Sequence, residues 1–225
     1  YRLMILFVRR GVIALLRLFD AMIEKVTEPW PGVRAEWNDR TYSRVRSIEQ
    51  TVCHDGFYGP VTIHLRTPNE VTRYRAQTFS TKEPETLEWI DRHGGDGTFY
   101  DIGANVGLYS LYYAKVHSGL TYAFEPSTLN LGLLTTNIAR NQLSSRIIIF
   151  PTPVTDRNQV ATFHMSMTDE GGAMSTFGRT YGHDGEHLAT QLKYEMPGLS
   201  LDFMLEHGIL HAPPSIMKID VDGIE

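Results

Sequence analysis

Phe99-Tyr100-Asp101-Ile102-Gly103-Ala104-Asn105-Val106-Gly107 decides the fold. Thr98 to Ile102 is a short β-rich run, Gly103 allows a tight turn, and Leu108, Leu111 and Tyr112 mark the face of a following helix. Working outward, Leu120 to Phe124 is a second strand, and Ser127 is placed to cap a second helix with Leu131, Leu134 and Ile138 on one stripe. Arg146 to Phe150 is a third strand. This βαβαβ rhythm with short connections is the pattern of a parallel sheet wound with helices. Pro151 and Pro153 cannot donate to a ladder, which puts the third strand at a sheet edge.

Further out, residues 61–66 alternate like a half-buried strand, and a polar segment follows. Residues 84–93 form a helix, with Pro84 in its first turn, Leu87 and Ile90 inward, and Arg92 and His93 near its end. Residues 157–199 break the rhythm: Gln159 to Met165 alternates, then a Gly-rich polar stretch runs to about Leu188, an insertion over one end of the sheet. Ser200 caps a short helix ended by Gly208, and residues 216–221 are a further strand.

At the amino end, residues 3–23 are apolar but carry Arg9, Arg10, Arg17 and Asp20, each costing roughly 2.5–3.5 kcal/mol at a bilayer centre. On a helix, Arg2, Arg9, Arg10, Arg17, Asp20 and Glu24 fall within an arc of roughly 100°. The segment is therefore an amphipathic helix that suits either a membrane surface or packing against protein, and it does not span a bilayer. No A-x-A-like cleavage site follows it, and residues 27–32 read as a Pro-rich turn. The expected division is an N-terminal helix and lead-in over 1–48 and one domain over 49–225.

The 225 residues, 42% of them hydrophobic, supply a buried core, which excludes a disordered chain. A net charge of −5 leaves no broad cationic surface for nucleic acid. Cys53 is the sole cysteine, so no internal disulfide or cysteine-rich zinc site forms, and the cytoplasm is the expected compartment. The chain opens without Met and stops just after a strand-like run, so a fragment truncated after its fourth strand is expected.

Between strand and helix, the Asp101–Gly107 turn is expected to present NH groups to a polar or anionic cofactor, with Gly107 letting the helix start close to the ligand. Glu125 lies at the adjacent strand tip, 18 residues beyond Gly107, where a carboxylate can accept both ribose hydroxyls. Together they describe an adenosine site. A dinucleotide fingerprint needs glycine where Asn105 stands, which weakens a nicotinamide oxidoreductase. An acid two residues before the first glycine suits S-adenosylmethionine, whose ammonium and sulfonium are cationic. A non-catalytic adenosine-binding module is the third class.

With Phe124-Glu125-Pro126, Leu201-Asp202 and the run from Met217 to Glu225, these motifs resemble the FkbM family of S-adenosylmethionine-dependent methyltransferases over roughly residues 80–225. Asp222 stands where that family commonly has Glu. The resemblance implies a class I methyltransferase fold (α/β, Rossmann-like, doubly wound, strand order 3-2-1-4-5-7-6) and O-methylation of a hydroxyl on a sugar, glycan or polyketide-type small molecule. It assigns Asp101, Gly103, Ala104, Asn105 and Gly107 to the methionine portion, Glu125 to the ribose, and Asp220 to the acceptor as a general base or a binding group. No metal is implied. Lys218 shares the strand face of Asp220 and either pairs with it or packs its stem on the sheet. His183 and His187 are four apart, but Gly185 between them argues for a solvated loop. Asp156 reads as part of a turn, and Pro213-Pro214 precedes the fourth strand where a nucleic-acid-methylating motif would follow it.

Overall fold

The computed structural model describes residues 2–182 and 185–221, which fall into two compact units divided between Ser47 and Ile48. In the first unit, helix α1 (Arg2–Thr27) is followed by α2 (Pro31–Arg46). The turn expected over 27–32 is therefore shorter, because Pro31 occupies the first turn of α2, where its missing N–H is no loss. No helix among the described residues is long and apolar enough to cross a membrane.

The second unit begins with a hairpin, β1 (Glu49–Gly56) paired antiparallel with β2 (Gly59–Arg66). Its first strand has no apolar alternation to read, because its half-buried positions include Gln50 and His54. The polar segment expected after Arg66 is a helix, α3 (Glu70–Lys82). Asn69 caps it reciprocally with Thr72, and it buries only Thr72, Ala76 and Phe79. Helix α4 (Pro84–His93) follows as the sequence leads one to expect.

Next come β3 (Phe99–Ile102), α5 (Leu108–Val116), β4 (Thr121–Phe124), α6 (Thr128–Arg140) and β5 (Ile147–Phe150). After them lie β6 (Gln159–Met165), β7 (Ser175–Phe177), β8 (Leu192–Gly198), α7 (Leu201–Glu206) and β9 (Ile216–Ile219). The main sheet is parallel in the order β5-β4-β3-β9, so β5 lies at an edge as the prolines require. This is the 3-2-1-4 portion of the class I order. The insertion is more regular than its composition suggests: β7-β6-β8 form a separate antiparallel sheet.

Alternate residues of each central strand face opposite layers. Phe99 and Ala123 pack with Leu87 and Ile90 of α4, Leu111 of α5, Leu134 of α6 and Ile63 of the hairpin. Tyr100, Ile102, Tyr122 and Phe124 pack on the other side with Met204 of α7 and Leu210. With both faces covered, β3 and β4 are wholly buried.

Two asparagines, Asn137 of α6 and Asn141 just beyond its end, fasten the hairpin. Asn141 accepts from the His64 N–H at 3.0 Å and donates to its carbonyl at 2.8 Å. Asn137, fully buried, accepts from the Arg66 N–H at 2.9 Å and donates to the carbonyl of Val106 at 2.9 Å. Replacing Asn137 by alanine leaves one buried donor and one buried acceptor unpaired. The expected loss is about 1–3 kcal/mol, read as a Tm lower by roughly 2–4 °C per kcal/mol in thermal unfolding. An unchanged Tm would contradict this docking.

Candidate active site

A cavity of about 880 Å³, counting the open volume at its mouth, lies across the carboxyl ends of the parallel strands. Between β3 and β9 the strand order reverses, and open α/β sheets bind ligands in the crevice at such a switch point. Gly103 beyond β3, Asp220 beyond β9, Glu125 beyond β4 and Thr152 beyond β5 all line it.

Gly103 has φ +83°, and a Cβ there would sit 2.0 Å from the Asp220 backbone oxygen, so only glycine lets the two loops meet. The loop amides are not free, contrary to the sequence expectation. The N–H groups of Gly103 and Ala104 donate to the Phe124 carbonyl, that of Gly107 to Ala104, and that of Asn105 to Glu125. Gly107, with φ +90°, abuts Leu134 of α6, and a Cβ would lie 2.6 Å from its Cδ1. Its glycine thus lets α5 start close against α6. Ala104 belongs to the hydrophobic core, and Asp101 lies wholly buried behind the cavity.

Asp101 Oδ2 accepts from the Ser110 hydroxyl at 2.6 Å, while Oδ1 has no hydrogen-bond partner. Burial pushes its carboxyl up, against the pull of Lys218 and Ser110. Its cross-strand neighbour is Lys218, whose ammonium lies 4.0 Å from Asp101 Oδ1, 2.9 Å from Asp220 Oδ2 and 5.0 Å from the Tyr109 ring centroid. Lys218 therefore bridges a buried and an exposed carboxylate. Tyr109 in turn donates to Glu83 at 2.6 Å, and Glu83 takes Lys82 at 2.7 Å.

Glu125, 5% exposed, accepts from Asn105 N–H at 2.7 Å on Oε2 and from Ser127 N–H at 2.8 Å on Oε1, with the Asn130 amide at 3.4 Å. Burial pushes its pKa up to about 7, although these donors pull the other way. With Oε1 already shared, one lone pair of Oε2 is open to a ribose hydroxyl, fewer than the two bonds expected from sequence. Asn130 also accepts from Gly171 N–H at 2.8 Å, and Asn105 donates to the Gly172 carbonyl at 2.8 Å, tying the insertion to the loop. No sequence signal marks Asn130, because it reads only as a position on a capped helix.

Also lining the cavity are Arg75 and Lys82 of α3, Val154 after β5, and Phe163 and Phe177 of the insertion sheet. Those after β5 could have been found from their place at a strand's carboxyl end; the others could not. Asp156 is exposed and outside the cavity, and Pro213-Pro214 lies at the opposite, amino end of β9. His183, Asp184 and residues 222–225 lie outside the described residues; among the described ones no acid, histidine or cysteine cluster could hold a metal.

No family model matches the chain. It is similar to the 31-O-demethyl-FK506 methyltransferase FkbM of Streptomyces tacrolimicus, 27% identical over 191 residues that span 72% of each protein. Among solved structures it is similar to the M. jannaschii tRNA m1G37 methyltransferase (18% identity, 45% of this chain and 30% of that one, TM-score 0.32). It is similar too to M. jannaschii TYW2 in complex with AdoMet (17% identity, 46% and 44%, TM-score 0.31). The chain thus spans less than half the length of these two structures, and likeness this weak carries no argument about substrate. The sequence is FkbM-like, and the described part of the sheet matches the 3-2-1-4 portion of the class I methyltransferase order.

Proposed function

We propose that this FkbM-like chain is an S-adenosylmethionine-dependent methyltransferase acting on a hydroxyl of a sugar, glycan or polyketide-type small molecule. The observation that carries the reading is the switch-point cleft itself. It holds a buried acid at the β4 tip for a nucleoside, yet the amides of Gly103, Ala104, Asn105 and Gly107 are internally bonded, so this loop is no pyrophosphate cradle. That disfavours a nicotinamide cofactor. On the side where the methionine portion would lie, the Asp101 and Asp220 carboxylates flank the Lys218 ammonium, and of these three side chains Asp220 lines the cavity.

When bound, S-adenosylmethionine supplies an electrophilic methyl group. Glu125 accepts a ribose hydroxyl, and Gly103 keeps the loop low beneath the ligand. Asp220 receives the acceptor's hydroxyl proton, oriented by the Lys218 ammonium. The test is calorimetric titration with S-adenosylhomocysteine and with NAD, followed by transfer of labelled methyl to a panel of hydroxylated sugars and small molecules. Asp220→Asn is expected to lower the transfer rate about 10²- to 10⁴-fold with little change in cofactor affinity. Equal losses in both would assign Asp220 to holding the cofactor, and binding of NAD alone would overturn the reading.

We also propose that residues 1–48 attach the 49–225 catalytic domain to an anionic membrane surface. Leu15, Leu16, Leu18 and Phe19 of α1 are exposed. Residues 1–47 hold nine Lys/Arg against five Asp/Glu, a net +4, leaving −9 on the remainder. Basic residues near anionic lipid contribute ~1 kcal/mol each. The chain is expected to float with phosphatidylglycerol-containing vesicles and not with pure phosphatidylcholine, and to be released by high salt. Equal flotation on both, or salt-insensitive self-association without lipid, would refute it.

A further inference from the structure

The cavity is chemically polarised along the row of strand tips. At the β9 and β3 end stand Asp220, Asn105 and Lys82, the last linked to Asp220 through Glu83, Tyr109 and Lys218. At the β5 end stand Pro153, Val154, Phe163 and Phe177, and Glu125 lies between the two ends at the β4 tip. Four adjacent strands place the ends about 14 Å apart at ~4.8 Å per strand. That order is polar tail, ribose acid, apolar wall.

We infer that the insertion sheet closes the β5 end of the cleft, with Phe163 and Phe177 forming the wall against which the adenine packs. The inference rests on the cofactor reading above. It gives the insertion to the cofactor, although an excursion over the strand ends is as well placed to hold an acceptor. Phe163 pairs with Phe177 on one side and with Tyr194 on the other, so three aromatic side chains form a cross-strand row. The row is fastened to both strand tips that flank the base position. Tyr194 donates to the Pro126 carbonyl at 3.2 Å, beyond β4. Beyond β5, Thr152 donates to the Pro197 carbonyl at 2.7 Å, and Leu199 and residues 153–155 exchange backbone bonds. The Phe177 ring is seated against Gly198, where a Cβ would lie 2.6 Å from its Cε1. A wall held at both strand tips presents a fixed aromatic surface, and aromatic surfaces stack on purines without needing base-specific hydrogen bonds.

The experiment uses the full chain with S-adenosylhomocysteine and with free adenosine as probes. Both are expected to bind competitively, and Phe177→Ala and Phe163→Leu are expected to weaken both roughly 5- to 150-fold. Amide exchange of residues 159–165 and 175–177 in the wild-type chain is expected to slow when S-adenosylhomocysteine binds, a readout that needs no variant to fold. Folded variants with wild-type affinity, or unchanged exchange in those strands with bound ligand, would overturn the assignment. A wild-type chain that binds neither probe would instead overturn the cofactor reading.

Discussion

Replacing Glu125 by alanine is expected to lower the affinity for S-adenosylhomocysteine about 10- to 150-fold, the range for losing one hydrogen bond to a charged group. The same substitution leaves the N–H groups of Asn105 and Ser127 without their acceptor, so the variant should also melt earlier. Titration separates the two roles. In the folded chain burial raises the Glu125 pKa from 4.5 to about 7, so between these values the folded state keeps a proton that the unfolded state releases. Stability therefore falls as pH rises through that window and levels off above it. Cofactor hydroxyls favour the ionised carboxylate, so affinity should rise across the same window and binding should release a proton. Thermal midpoints from pH 4.5 to 8, and calorimetry in two buffers of different ionisation heat, measure both. Glu125→Gln should remove the share of each pH dependence that Glu125 contributes. Unchanged affinity in Glu125→Ala would move the ribose site elsewhere.

Gly103→Ala is expected to be the most damaging small substitution in the site. An alanine there must adopt φ +83°, which costs about 1–2 kcal/mol. Its Cβ would also stand 2.0 Å from the Asp220 carbonyl, a backbone atom that cannot rotate away. Either β9 shifts away from β3 or the loop rises into the cavity. A loss of about 3 kcal/mol or more is expected, together with loss of measurable S-adenosylhomocysteine binding. Circular dichroism melts and calorimetry check both, with Ala104→Gly as a neighbouring control. Wild-type behaviour of Gly103→Ala would show that the β3 and β9 loops do not meet as described.

The FkbM resemblance read from the motifs stands beside a relative that is similar over 72% of the chain. The nucleus of the fold was legible because its signals are local. Strand, glycine turn and helix follow one another within residues 99–116, Ser127 caps α6 through the Asn130 N–H, and the prolines after Phe150 put β5 at an edge. Local chemistry also placed Gly103 and Asn105 in the turn after β3 and Glu125 at the β4 tip, the family resemblance pointed to Asp220, and these four line the cavity.

Other features depend on pairs distant in sequence. β1 and α3 were hidden because their inward positions are largely polar, so no apolar period marks them; pairing with β2 and the Asn69–Thr72 cap make them regular. The sequence by itself thus determined the order and type of the central elements and which residues end up at the strand tips, since short-range sterics, capping and periodicity settle these. Only the tertiary structure decided what those residues touch. The loop amides were spent on Phe124 and Glu125, Gly107 was given to Leu134, Lys218 was set between Asp101 and Asp220, and Phe163 and Phe177 came to the cavity. Each of these contacts joins separate elements across the fold, and its geometry exists only once the sheet, its helices and the insertion have packed.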